Sequence, residues 1–191
     1  YKYRRDGLIR YSQNAVQKKN EVEDAIPLGI FSYTNYDKLS RPIESGVYTG
    51  DEHSFQSVTD LLEYTSQLKF PETDRKDWIE TVYDYPINEN GTVPNLPEEY
   101  TQDYLRGAVS STRNANNQTW YSYDEFGRVV WMAQKPTRLD RTFLTHYTYD
   151  FLGNVLTVFN GSYTGGERLT AFYHHYEYDK DQRLKSAFTS T

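Results

Sequence analysis

The sequence predicts a mainly β protein: tandem antiparallel β-hairpins in a curved, twisted meander sheet, with one short helix near 57–68. Three observations predict it. Aromatic residues make up 16 % of the chain, and Tyr alone accounts for 19 of 191 residues. Tyr favours pleated, half-buried surfaces and keeps a polar tip for water or a partner. The mean hydropathy of −0.86 leaves too little aliphatic material for a full Leu/Ile/Val core, while the aromatic content is too high for a disordered chain. Finally, a nine-residue pattern recurs along the chain, which is the mark of a repeat architecture.

The strongest copies are Tyr121-Ser122-Tyr123-Asp124-Glu125-Phe126-Gly127-Arg128-Val129 and Tyr147-Thr148-Tyr149-Asp150-Phe151-Leu152-Gly153-Asn154-Val155. A third, Tyr176-Glu177-Tyr178-Asp179-Lys180-Asp181-Gln182-Arg183-Leu184, has Gln where Gly stood. Two weaker copies lie upstream. Tyr1-Lys2-Tyr3-Arg4-Arg5-Asp6-Gly7-Leu8-Ile9 keeps Tyr3 and Gly7 but loses the Asp. Tyr33-Thr34-Asn35-Tyr36-Asp37-Lys38-Leu39-Ser40-Arg41-Pro42 keeps Tyr36 and Asp37 but has Ser at the glycine position.

Each copy has a physical sense. Tyr121 and Tyr123 fall on one face of a strand, because side chains alternate. Asp124 to Gly127 suits a type I turn, with Asp first and Gly last. The Asp side chain accepts bonds from the turn's own N–H groups. Glycine takes the left-handed conformation that a bulged hairpin needs at no Cβ cost. Val129 and Trp131 then alternate along a returning strand. The connections 135–140 and 161–167 lead from one hairpin to the next. One hairpin alone is marginal in water, so successive hairpins are expected to pair side by side, as in a solenoid.

Tyr123-Asp124-Glu125-Phe126-Gly127-Arg128 and Tyr149-Asp150-Phe151-Leu152-Gly153-Asn154 resemble the YD repeat of the RHS/YD-repeat family. The resemblance is strong over 117–191 and weaker over 1–46. It implies a ribbon of β-hairpins that spirals into a hollow shell. In bacterial members the shell encloses a C-terminal toxin, and in animal relatives a similar shell supports adhesion outside the cell. By resemblance, then, the chain is a non-enzymatic structural segment of a secreted or cell-surface protein, upstream of the core and the C-terminal effector. Its partners would be the rest of the same shell and the enclosed domain. The alternative is a carbohydrate-binding or adhesion module that uses an aromatic sheet face to hold glycan. No Asp-Pro-x-Gly stretch typical of the family's self-cleaving core occurs, so that activity is not carried over. The repeat residues implied to be structural are Tyr3, Gly7, Tyr36, Asp37, Tyr121, Tyr123, Asp124, Gly127, Tyr147, Tyr149, Asp150, Gly153, Tyr176, Tyr178 and Asp179.

Segment 47–116 interrupts the array within what is otherwise one domain, 1–191. Apolar residues at 58, 61, 62 and 68 fit an amphipathic helix over 57–68, capped by Ser57 or Thr59 and stopped by Pro71. Trp78 to Tyr85 has strand character and stops at Pro86. Asn88 to Gly91 is a turn, and Pro94 and Pro97 mark a loop. Tyr104 to Arg113 returns to strand character, turns over Asn114–Asn117, and pairs into the repeat sheet.

Composition excludes several functions. The 21 Lys and Arg against 27 Asp and Glu give a net charge of −6, which argues against nucleic acid and anionic membranes as partners. No cysteine is present, so disulfides and thiolate metal sites are ruled out. No apolar run approaches the roughly 18 residues of a membrane span. His174, His175 and Glu177 are the most ligand-like group, but alternation puts His174 on the other face from His175 and Glu177, and two ligands are too few. His53 and His146 stand alone. Asp124, Asp150 and Asp179 recur at one turn position, which is turn chemistry rather than the unlike roles of an acid–base pair. Asp74 and Asp77 are interleaved with Arg75 and Lys76 and fit a solvated surface. Asn90, Asn117 and Asn160 begin glycosylation sequons. No catalytic, metal or cofactor site is expected. An excised segment with bare edge strands is expected to associate edge to edge.

Overall fold

A computed structural model describes residues 1–23, 29–58 and 70–191. Among them are twelve strands ordered as in the chain, antiparallel to one another through the first five and through the last seven. They are β1 (Lys2–Tyr3), β2 (Ile9–Ser12), β3 (Gly29–Tyr36), β4 (Pro42–Gly50), β5 (Arg75–Tyr83), β6 (Val109–Arg113), β7 (Asn117–Tyr123), β8 (Val129–Pro136), β9 (Thr142–Tyr149), β10 (Val155–Thr164), β11 (Glu167–Tyr178) and β12 (Leu184–Ser190). One helix, α1 (Ala15–Glu23), lies between β2 and β3. The packing divides the chain into two compact units, Tyr1–Thr81 and Val82–Thr191.

The helix expected over 57–68 falls mostly outside the described residues. Over the described residues 54–58 the amide of Ser57 donates to the Ser54 hydroxyl, and the amide of Val58 to the Ser54 carbonyl. Helix α1 was not expected. Its start is a reciprocal capping box: the Gln17 amide donates to Asn14 Oδ1 at 2.9 Å, and the Asn14 amide donates to Gln17 Oε1 at 2.9 Å. Gln13 and Gln17 then hold the turn to β3, through the Ile30 carbonyl and the Ser32 hydroxyl.

In the first unit the core is aromatic: Tyr11, Phe31, Tyr33, Tyr48 and Phe70 pack with Val58. Strand β3 alternates strictly, with Gly29, Phe31, Tyr33 and Asn35 buried and the residues between them half-buried. Phe31 stands edge-on to Tyr11 at 5.6 Å and lies parallel to Phe70 at 6.3 Å.

In the second unit Trp120, Trp131, Ala133, Leu144, Phe159 and Tyr163 form the buried face, and Val93, Leu96 and Tyr100 of the 84–108 loop cover it. Rows across the strands explain the face. Ser122 pairs with Trp131, Trp131 with His146, His146 with Phe159, and Phe159 with Tyr173. Tyr121 pairs with Met132 on the other face. The paired repeat tyrosines are thus on the side away from the Trp-rich core, where Tyr121, Tyr123, Tyr147, Tyr149, Tyr176 and Tyr178 are half-buried. Tyr and Phe pack the first unit, whereas the second adds two indoles and the aliphatic Ala133 and Leu144 to Phe159 and Tyr163.

Strand character also starts later than expected before β6. Tyr104 and Gly107 have positive φ (50° and 82°), and the Ala108 amide closes a turn on the Leu105 carbonyl at 2.9 Å. Only Val109–Arg113 is strand.

Candidate functional site

The repeat residues come together at the corners between strands. At Asp124 the Gly127 amide donates to the Asp124 carbonyl at 3.0 Å, and the Asp124 amide donates to the Arg128 carbonyl at 2.9 Å. Asp124 Oδ1 accepts the amides of Phe126 (3.0 Å) and Arg128 (2.9 Å), and Oδ2 accepts Arg128 Nε at 2.6 Å. The same bonds recur at Asp150, with Asn154 Nδ2 in place of the guanidinium (2.8 Å). At Asp37 Arg41 plays the part of Arg128 (2.7 Å). At Asp179 the Asp181 and Arg183 amides donate to Oδ1. At the first corner Arg4 takes the Asp position: the Gly7 amide still donates to the Arg4 carbonyl, and Asp6 pairs with the Arg4 guanidinium at 2.8 Å.

The fourth turn residue has positive φ at every one of these corners: Gly7 84°, Ser40 63°, Gly127 77°, Gly153 94° and Gln182 63°. Ser40 and Gln182 show that a side chain can be held there. Glycine removes the strain that L residues meet in this region. Register shifts beside Tyr3, Tyr36, Tyr123, Val155 and Tyr178 mark the accompanying bulges.

A sixth corner escaped the sequence reading. Asp84 donates its amide to the Ala108 carbonyl at 3.1 Å and accepts the Gly107 amide on Oδ1 at 2.7 Å. Tyr83-Asp84 and Gly107-Ala108-Val109 are the two halves of one copy, separated by the loop that covers the Trp-rich face. The turn's local signature is broken by that loop, so no contiguous motif betrays it.

The second tyrosine of a copy links it to the copy before. Tyr36 Oη donates to the Ile9 carbonyl (2.8 Å), Tyr123 Oη to Val109 (2.9 Å), Tyr149 Oη to Val129 (2.7 Å) and Tyr178 Oη to Val155 (3.0 Å). Each acceptor lies two residues after the preceding copy's glycine-type position. The corners also touch directly. Arg128 stands over the Tyr149 ring at 4.5 Å and reaches the Asp150 carbonyl at 3.3 Å, and Asn154 donates to Gln182 at 2.8 Å. Tyr3 is exposed, and its copy contributes through Arg4, 5.0 Å from the Tyr36 ring.

The corner carboxylates are acidic for definable reasons. Partial desolvation raises the Asp124 pKa, but the backbone and side-chain bonds from Arg128 outweigh it and hold the group below the usual Asp range. Asp37 follows the same pattern with Arg41. At Asp150 the Asn154 side-chain bond is the main lowering influence.

Two clefts and one half-buried ionic cluster lie apart from the corners. A cleft of about 180 Å³ in the second unit is bounded by Tyr100, His146, Phe159 and Tyr173, with Thr148, Thr157 and Arg168 at its rim. A cleft of about 360 Å³ in the first unit has Tyr48, His53 and Phe70 as walls and Glu52, Glu72 and Asp74 at its mouth. Among the described residues no group of three His, Asp or Glu side chains could hold a metal ion. The cluster joins Tyr33, Glu44, Arg75 and Glu80. Tyr33 Oη donates to Glu44 Oε1 at 2.6 Å, and Arg75 Nη1 reaches Glu44 (2.9 Å) and Glu80 (3.2 Å). Trp78 stacks 4.3 Å from the guanidinium. Burial and then the Glu44 bond push the Tyr33 pKa up. Glu44 and Glu80 face each other across β4 and β5, the placement of a carboxylate pair, but both lean on one guanidinium and neither lines either of the two clefts above.

The remaining candidates are dispersed. His174 stacks with Tyr176 and meets Phe172 edge-on, while His175 lies on the other face beside Thr157. Asp74 and Asp77 are exposed at the start of β5, both with positive φ. Of the sequon asparagines, Asn90 is in an exposed loop, and Asn117 and Asn160 are strand residues.

The chain matches no protein-family model, and no curated protein matches it.

Proposed function

We propose that the chain is a non-enzymatic wall segment of an RHS/YD-repeat shell, in a secreted or surface protein, that encloses or presents a C-terminal effector domain. The observation that carries the reading is the repeated tyrosine bond: Tyr36, Tyr123, Tyr149 and Tyr178 each donate to the equivalent carbonyl of the preceding copy. A site concentrates unlike groups at one place. Here like groups repeat at four corners, which is the logic of an extensible wall.

The adhesion reading would use the half-buried tyrosine face, where the Tyr147 and Tyr149 rings lie 6.4 Å apart and 25° from parallel. The corner hydroxyls on that face are already bonded to backbone, which leaves them poor hydrogen-bond partners for a glycan. The shell is therefore preferred. Electron cryomicroscopy of the full-length polypeptide, with limited proteolysis of its C-terminal region, tests the proposal. A hollow wall and a protected C-terminal region are expected. An open sheet with a C-terminal region cleaved as fast as the isolated one would overturn it.

A further inference from the structure

The cleft beneath Tyr100 is built differently from the corners. Its floor comes from three adjacent strands in register: His146 of β9, Phe159 of β10 and Tyr173 of β11. Thr148 and Thr157 form the next row. Tyr173 stacks on His175 at 6.1 Å with the rings 9° from parallel, which holds the Tyr173 ring in place. Tyr100, delivered by the 84–108 loop, closes one end. It stands edge-on to His146 at 5.9 Å and to Trp131 at 6.2 Å. It also meets the Tyr163 ring edge-on at 6.2 Å, which fixes the wall.

The polar groups are few and of distinct kinds. Arg168 is exposed at the rim, and its guanidinium forms no ion pair among the described residues. The Thr148 and Thr157 hydroxyls can donate and accept. Burial lowers the His146 pKa, so its imidazole stays neutral, with one donor and one acceptor nitrogen. Glu99 lies close enough to act on Tyr100 and Tyr163 electrostatically. The space, about 180 Å³, is below the about 300–1,000 Å³ of drug-sized pockets and suits one ring.

We propose that this cleft binds a single uronic acid residue, with its carboxylate on Arg168, its hydroxyls on Thr148, Thr157 and His146, and its C–H face on Tyr173 and Phe159. A guanidinium recognises a carboxylate through paired N–H bonds. The neighbouring Glu99 and the net charge of −6 repel a polyanion, so the ligand is an isolated or terminal acidic sugar rather than a polyuronate. The site is on the face opposite the repeat tyrosines and does not depend on the shell reading.

The test is titration of the isotope-labelled chain with glucuronate, glucose and benzoate, followed by amide NMR shifts. Glucuronate is expected to bind in the millimolar range and to move the amides of 146, 157, 168 and 173. Glucose is expected to bind at least about tenfold more weakly, the loss of one charge-assisted contact. Arg168→Gln, at an exposed position, should lose about that same factor for glucuronate and leave glucose unchanged, with an unaltered melting temperature. Tyr173→Phe should bind as the parent does, and Tyr173→Ala should weaken both sugars. Equal binding of glucose and glucuronate, an indifferent Arg168→Gln, tighter binding of benzoate, or shifts confined to other residues would each overturn the proposal.

Discussion

Replacing Asp124 with Ala removes the acceptor that organises one corner. Three bonds go: those from the Phe126 amide, the Arg128 amide and Arg128 Nε. A bond to a charged group contributes about 1.5–3 kcal/mol when buried. The Asp124 side chain keeps 19 % of its surface exposed and Arg128 keeps 29 %, so water recovers much of that, and the expected loss is about 2 kcal/mol. Asp124→Asn keeps an acceptor for both amides and loses only the exposed ion pair, so it should cost less than about 1 kcal/mol. Urea unfolding followed through Trp120 and Trp131, both buried in the same unit, reads these values. Asp124→Ala should lower the midpoint by about 1 M. The pH dependence supplies a second check. Asp124 has a depressed folded pKa, so its contribution is present above the unfolded value of about 3.9 and fades as pH falls through the folded one. The gap between the parent and Asp124→Ala should therefore be widest near neutrality and narrow in acid. Equal costs for Ala and Asn, or a gap that widens as pH falls, would refute the reasoning.

Three further outcomes are expected. Tyr149→Phe loses the bond to the Val129 carbonyl and should cost about 1 kcal/mol in urea unfolding, while Tyr147→Phe, whose hydroxyl has no such bond, should be near neutral. Gly127→Val should cost at least about 1 kcal/mol from the backbone alone, since no atom lies within 4 Å of the added Cβ; Gly127→Asn should cost less, because Asn tolerates positive φ. Arg75→Met removes the guanidinium that Glu44 and Glu80 share and should destabilise the first unit by about 3 kcal/mol, recovered in part by adding Glu80→Gln; a differential scanning calorimetry trace checks both variants.

The mainly β character was legible because aromatic content and alternation are spread along the whole chain. A corner's chemistry lies in four adjacent residues, so Asp124 and Gly127 could be singled out from the sequence. Asn14 and Gln17 carry a capping-box signature for α1, but the helix has no clear apolar stripe to announce it. The Asp84–Gly107 corner was hidden because its halves are joined only through space. Tyr100 was hidden for a related reason: a loop residue meets Trp131, His146 and Tyr163 only after three strands have come into register. The division of labour between faces was also invisible. Tyr121 and Trp120 are neighbours in sequence, and only the register shows that Trp120 faces the covering loop.

Lateral pairing of successive hairpins is the claim on which the wall depends, and the chain's lack of cysteine makes it directly measurable. Met132 of β8 and Thr145 of β9 lie opposite each other, where one hairpin's return strand meets the next hairpin. Side chains so placed have Cβ atoms about 4.5–5.5 Å apart, within reach of a disulfide after small adjustment. The Met132→Cys/Thr145→Cys variant should oxidise to an intramolecular disulfide, and the Met132→Cys/Leu144→Cys variant, one residue out of register and on opposite faces, should not. Crosslinking of the second pair in preference to the first would contradict the account.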